Sequence, residues 1–179
     1  EYAKANPGTV TVGCAGYTDS SGMGLAVAFS AMGIEAEIVP FDSAADSLAA
    51  VLGGHVMYAN MPTSKSFASV ESGDLFPLLE FGGFENEFGV PSVVDLGYPD
   101  AACPYYRLIC CKAGTPDEVV QILREGLAKI VTDPEMIAES EEAKDPLLFP
   151  ILDGDKLEAQ VQKDWVAYGD VIEKLGLGQ

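Results

Sequence analysis

The sequence predicts an α/β fold, with an open, mostly parallel sheet covered by helices. Three observations carry that prediction. Short segments rich in β-branched residues alternate with helix-like segments from about residue 9 to 81; the connections between them are brief; and glycines fall where the helices should stop. Such alternation builds right-handed parallel crossovers, because a strand can rejoin its sheet in parallel only after an intervening segment crosses one face.

The opening "EYAKANPG" reads as the tail of a helix running into an Asn-Pro-Gly turn, and because Glu1 rather than methionine comes first, sequence is expected to precede it. Thr9 to Gly13 is the first strand, and Ser20 to Met32 an amphipathic helix stopped by Gly33. "IEAEIVPF" (34 to 41) is a second strand, "SAADSLAAVLGG" (43 to 54) a second helix, and "HVMYAN" (55 to 60) a third strand. Ser64 to Ser72 is a short helix closed by Gly73, and "LFPLLEF" (75 to 81) a fourth strand. Residues 82 to 104, rich in Gly and Pro, form a connecting segment.

"YRLICCK" (106 to 112) reads as a further strand. After it, Thr115 stands at a helix N-cap, Pro116 at the first helical position, and Glu118 completes a capping box. Val119, Leu123, Leu127 and Ile130 make one apolar stripe of that helix. A last helix from about Leu157 carries another stripe, from Leu157, Val161, Trp165, Tyr168 and Ile172, and both stripes are expected to pack into cores. The acidic run "EMIAESEEAKD" between them reads as a solvated face.

Composition narrows the function. The 179 residues carry 10 Lys plus Arg against 28 Asp plus Glu, a formal charge of -18 that repels a phosphate backbone and argues against nucleic acid as a partner. No apolar run approaches the roughly 18 residues a membrane span needs, and no signal-peptide pattern opens the chain. The four cysteines, Cys14, Cys103, Cys110 and Cys111, lack a CxxC spacing, and His55 is the single histidine, so neither a zinc site nor a cofactor is expected. A Cys14–His55 nucleophilic pair is disfavoured, because the end of one strand and the start of another lie at opposite sheet edges. Glu80, Glu85 and Glu87 show no acid/base spacing and read as solvated loop charges.

The informative stretch is "VTVGCAGYTDSSGMGLAVAF" (10 to 29). In a parallel sheet ligands sit beyond the carboxyl ends of the strands, where the loop Cys14 to Ser21 would lie. Gly13 and Gly16 permit close backbone approach, and the first amides of the following helix have no intrahelical partner. Thr18, Asp19 or Ser20 would cap that helix. Two readings stand side by side: capture of a carboxylate by those amides, and ordinary helix capping. The Asp19 charge competes with an anionic ligand for the same donors. Neither the Walker lysine nor a G-x-G-x-x-G spacing is present, so this is not a phosphate fingerprint.

Taken in order, "NPGTVTVG" (6 to 13), "IVPF" (38 to 41), "LGGHV" (52 to 56), "SGDLFPLL" (72 to 79), "VPSVVDLGYP" (90 to 99) and "AGTPDEVV" (113 to 120) resemble the solute receptors of tripartite tricarboxylate transporters, the Bug family of periplasmic binding proteins. The resemblance implies a two-lobed, non-enzymatic type II binding protein that closes on a small carboxylated solute, such as a di- or tricarboxylate, and presents it to membrane transporter subunits. It implies that residues 6 to 103 form lobe 2 and that 104 to 179 form the C-terminal portion of lobe 1, whose opening half is absent. By position it assigns ligand contact to Ala15, Gly16, Thr18, Asp19 and Ser20, to Ser43 and Ala44 in the next wall of the cleft, and to Asn60 near the crossing between lobes. It implies export to the periplasm.

Departures from the family pattern fall in the same places. Asp19 stands where a small residue is usual, Gly22 where a histidine is common, Ser43 where a glycine often follows the strand-two aromatic, and Met57 where an aspartate follows "GGHV". A signalling receptor of the same fold and an enzyme on an α/β scaffold are the alternative functions. With one lobe-one strand for two apolar helices, the chain is expected either to bury those faces by forming a homodimer or to pack poorly after about Tyr105.

Overall fold

The computed structural model describes residues 1–83, 86–103, 108–144 and 154–175. The chain divides into two compact units, one of residues 1–105 with 152–179 and one of 106–151.

In the first unit a single turn of helix, α1 (Tyr2–Ala5), leads into β1 (Thr11–Ala15), α2 (Ser20–Met32), β2 (Glu37–Phe41), α3 (Ala44–Leu52), β3 (Tyr58–Ala59) and α4 (Thr63–Glu71). The three strands form one sheet in the order β2-β1-β3, with β1 central and parallel to both neighbours. The predicted α/β class and parallel sheet are therefore observed. Strand boundaries move toward the carboxyl ends: β1 begins at Thr11 rather than Thr9, β2 at Glu37 rather than Ile34, and the 55 to 60 strand contracts to Tyr58–Ala59.

Alternation along β1 sorts its two faces. Val10, Val12 and Cys14 are buried in one cluster with Leu25 of α2. Gly13 points the other way, toward α3: a Cβ there would lie 2.7 Å from Ser47 Oγ, 3.1 Å from the Phe41 ring and 3.3 Å from Val56. The missing side chain is what lets α3 approach β1 so closely.

The second helix is not the amphipathic helix expected from the sequence. Gly22 to Ala28 and Met32 are all buried, because α2 is covered on three sides. Leu25, 1% exposed, faces β1. Met23, Ala26 and Val27 pack with Val171 of α7 (Gly154–Leu175) and with Tyr168 and Ile172 beside it. Ala28 and Met32 pack against Val93 and Ala101, contributed by the connecting segment and its short 3₁₀ turn Pro99–Ala101. A helix buried on three sides carries no continuous polar stripe; its exposed residues are Ser20 at one end and Ser30 and Ala31 at the other. Gly33, at φ +63°, ends it as predicted.

Two predicted strands are not formed. In 75 to 81 only Glu80 pairs, in an isolated parallel bridge with Ser92; Phe76 is 81% exposed, and Pro77 removes a ladder donor from the middle of the segment. Leu108 to Lys112 is not a strand and its cysteines are exposed, since no described strand pairs with it; residues 106 and 107 of that prediction lie outside the described residues. The last helix is present, yet only part of its predicted stripe is covered. Tyr168 and Ile172 pack on α2, whereas Val161 and Trp165 are exposed, Trp165 by 76%. The contacts of this helix are with α2, in the first unit.

In the second unit α5 (Asp117–Val131) packs against α6 (Pro134–Glu142), the helix into which the acidic run folds. The capping box expected at Thr115 is not made. Pro116, at ψ 139°, is still extended, so α5 begins one residue later and the Thr115 hydroxyl donates instead to the Lys112 carbonyl at 2.7 Å. Asp133 caps α6 through the amides of Glu135 and Met136.

The packing around α2 sets two expected outcomes. Leu25→Ala should cost about 2 to 5 kcal/mol, because a buried leucine is replaced by a cavity. Gly13→Val should destabilise by about 1 to 3 kcal/mol through overpacking against Ser47 and Phe41. Urea denaturation followed by circular dichroism checks both; a midpoint unchanged in either variant would contradict the corresponding packing.

Candidate functional site at the carboxyl edge of the sheet

Parallel pairing levels the strand ends: Ala15 of β1 pairs with Phe41 of β2, and Gly13 with Ala59 of β3. The turn after β1, the Ser43–Ala44 start of α3 and Asn60 just after β3 therefore share one edge. All eight sequence-predicted positions, Ala15, Gly16, Thr18, Asp19, Ser20, Ser43, Ala44 and Asn60, lie on these segments.

The β1–α2 turn is shaped by two glycines. Gly16 adopts φ +89°, which a side chain would strain. At Gly22 a Cβ would press on the Gly16 carbonyl oxygen and lie 2.5 Å from the Tyr17 carbonyl oxygen, so the turn folds directly over the first turn of α2. A glycine at this position is what this close approach requires.

Of the three candidate caps, Asp19 is the one used. Its Oδ1 accepts from the Ser21 amide at 2.8 Å, the Gly22 amide at 3.1 Å and the Ser21 hydroxyl at 2.7 Å. A carboxylate at a helix amino end is stabilised both by these bonds and by the helix dipole. The amides of Ser21 and Gly22 are thus occupied by the protein's own anion. Among the described residues none accepts from the backbone N–H of Thr18 or Ser20, and both side chains are exposed. Those two amides and hydroxyls are among the donors of the turn that no described residue engages.

Ser21, which the sequence reading did not single out, is the hub of the turn. Its Oγ accepts from the Ala15 amide at 3.1 Å, and its carbonyl accepts from Asn60 Nδ2 at 3.1 Å. The Asn60 amide donates to the Gly13 carbonyl at 2.8 Å, fixing the residue at the end of β3. A sequence signal did exist, a hydroxyl two residues after a capping aspartate, but only folding brings Ala15 and Asn60 to it. Ser43 caps α3, accepting from the Asp46 amide at 3.2 Å and donating to the Asp46 carboxylate at 2.6 Å.

Cys14 is buried and donates its thiol proton to the Gly16 carbonyl at 3.2 Å. Burial first, and the Asp19 charge second, push its pKa up, so it is held as a thiol. His55 lies in the bend before β3 with its ring against Gly53, whereas the Cys14 thiol is buried and bonded to the Gly16 carbonyl. No hydrogen bond joins Cys14 and His55 among the described residues. Glu80 caps its own turn, accepting from the Gly82 and Gly83 amides, while Glu85 lies outside the described residues. A nearby recess lined by Asn86, Val90, Ser92 and Asp95 offers few free groups, because the Asp95 carboxylate already accepts from the Ser92 amide and hydroxyl, which holds its pKa below the usual value. No group of three His, Cys, Asp or Glu is placed to hold a metal among the described residues.

At the α2–α7 contact the Cys103 thiol donates to the Gly24 carbonyl at 3.3 Å. Burial pushes Cys103 up to about 11 and Tyr168 up to about 12, with Asp164 adding to both. Raised folded-state values mean that the unfolded chain ionises first. Stability from this contact is complete below about pH 9, where the unfolded thiol begins to ionise, and is lost as pH rises through 11 to 12.

Three outcomes follow from this geometry. Asp19→Ala should lower stability by about 0.5 to 2 kcal/mol through loss of the cap, with Asp19→Asn losing less, by thermal denaturation. Thermal midpoints measured from pH 8 to 12 should fall across the alkaline window, and less steeply in Cys103→Ala. In a thiol titration of the native protein Cys110 and Cys111 should react at once, whereas Cys14 and Cys103 should wait for denaturant. Fast labelling of Cys14 would show that the turn does not cover it.

Comparison with known proteins identifies the family. The family described as tripartite tricarboxylate transporter family receptor, TctC, matches residues 1–177. A Cupriavidus necator protein described as UPF0065 protein in gbd 5'region is 29% identical over 184 residues, covering 99% of this chain and 54% of its own length. A TctC solute binding protein from Polaromonas, solved with no ligand, superposes with a TM-score of 0.78 at 23% identity, over 97% of this chain and 59% of that one. R. palustris Rpa4515, solved with adipate, gives 0.71 at 17% identity, over 98% and 58%. The chain thus spans between half and three-fifths of the length of these relatives. No helix among the described residues is long and apolar enough to cross a membrane. With the match running from residue 1 to residue 177, the chain belongs to the family of tripartite tricarboxylate transporter receptors.

Proposed function

We propose that this chain supplies one wall of the cleft of a periplasmic receptor, which captures a small carboxylated metabolite and delivers it to the membrane subunits of a tripartite transporter. The observation that carries the reading is the family match across residues 1–177. The polar turn supports it, since the exposed Thr18 and Ser20 amides and hydroxyls lie at the sheet edge where parallel α/β folds bind ligands. A relative of the same fold holds adipate, a six-carbon dicarboxylate. The function requires no cofactor and no catalytic residue: binding and release are the whole of the chemistry.

In this reading one carboxylate of the solute meets the Thr18 and Ser20 donors, beside the positive end of the α2 dipole. Asp19 keeps its own oxygen turned to Ser21 and Gly22, close enough to disfavour a bulky or highly charged anion. Ser43 and Ala44 line the neighbouring wall. The net charge of -18 does not prevent this, since about 8 Å of physiological saline screens distant charges.

Native mass spectrometry of the full-length receptor should reveal a copurified small acid. Thr18→Ala and Ser20→Ala should each weaken its binding by about 1 to 3 kcal/mol, the range for a hydrogen bond to a charged group. Unchanged affinity in both variants, with a structure showing no anion at the turn, would remove the site from this lobe edge.

A further inference from the structure

Resting on the reading of the β1–α2 turn as a solute seat, we propose that Ser21 and Asn60 are its positioning residues: they touch no solute, but fix the turn that does. Both hydrogen-bonding roles of the Ser21 hydroxyl are already filled, as acceptor from the Ala15 amide and donor to Asp19 Oδ1. The side chain is part-buried and has no proton left to offer. Asn60 Nδ2 is likewise directed inward, to the Ser21 carbonyl, while its backbone amide is held by Gly13. Two residues therefore link the end of β1, the capping aspartate, the first turn of α2 and the end of β3. The segment between the ties, Gly16 to Ser20, carries the unpartnered Thr18 and Ser20 amides.

The linkage separates stability from affinity. Removing the Ser21 hydroxyl leaves Asp19 with both of its amide bonds, so the helix cap survives. What is lost is the tie between the turn and β1, and with it the fixed aim of the free donors. Preorganised donors bind because their ordering cost was met on folding, and a loosened turn must meet that cost at each binding event.

The test titrates adipate, glutarate, succinate and citrate into the full-length receptor by calorimetry and follows the tightest of them. Ser21→Ala and Asn60→Leu should each weaken that acid about tenfold, the weight of one hydrogen bond. Ser21→Thr, which keeps the hydroxyl, should stay close to wild type. The Ser21→Ala/Asn60→Leu double variant should lose less than the product of the two single losses, because both act through one network. Thermal midpoints serve as the control: Asp19→Ala should lower the midpoint more than Ser21→Ala does. If Ser21→Ala does not fold, Asn60→Leu with its midpoint carries the same test. Weakening by Thr18→Ala and Ser20→Ala with no effect of Ser21→Ala or Asn60→Leu would overturn this inference and leave the seat in place. No effect of any of the four, or no binding of any of the acids by wild type, would overturn the seat and the inference with it.

Discussion

The burial of the middle of α2, Gly22 to Ala28, is the constraint on which the first unit depends. Three of its sides go to different neighbours: the sheet through Leu25, α7 through Met23 and Val27, and the connecting segment through Ala28 and Met32. Small residues make that possible. At Gly24 a Cβ would lie 3.4 Å from the Cys103 Cβ, and at Gly22 it would collide with the preceding turn. The helix therefore serves as the common core of three otherwise separate layers, and its position cannot shift without disturbing all of them.

That rigidity is what gives the polar turn its aim. The amino end of a helix projects its first amides along its axis, so an immobile helix fixes the direction of those donors. Sequence then decides how many remain available. Asp19 consumes the amides of Ser21 and Gly22, leaving a narrower set of donors than a small capping residue would. The same aspartate places a negative charge beside the opening, and the two effects together distinguish this lobe edge from an unoccupied anion cradle. Burial of Cys14 directly beneath the turn adds a second constraint: its thiol is committed to the Gly16 carbonyl, which fixes the turn from below.

Residues 106–151 behave differently as a unit. The apolar stripe of α5 is real in the sequence, yet Val119, Leu123 and Ile130 are exposed. Among the described residues of this unit, α5 packs against α6, a short and acidic helix.

The sequence alone determined the local grammar. Gly33 at the end of α2, Ser43 at the start of α3 and the run of alternating segments each follow from backbone preferences over a few residues, which is why the α/β class, the parallel sheet and the carboxyl-edge location of the turn were all legible. What tertiary structure decided were the features that need a distant partner. Leu75 to Leu79 and Leu108 to Lys112 have strand-like composition, but a strand exists only when a neighbour accepts its hydrogen bonds, and no described neighbour does so along either segment. Burial of α2 on three sides was invisible because two of its covering layers come from residues 79 to 103 and from α7, far along the chain. The role of Ser21 turned on where Ala15 and Asn60 come to rest, and those positions are set by strand register rather than by any neighbouring residue.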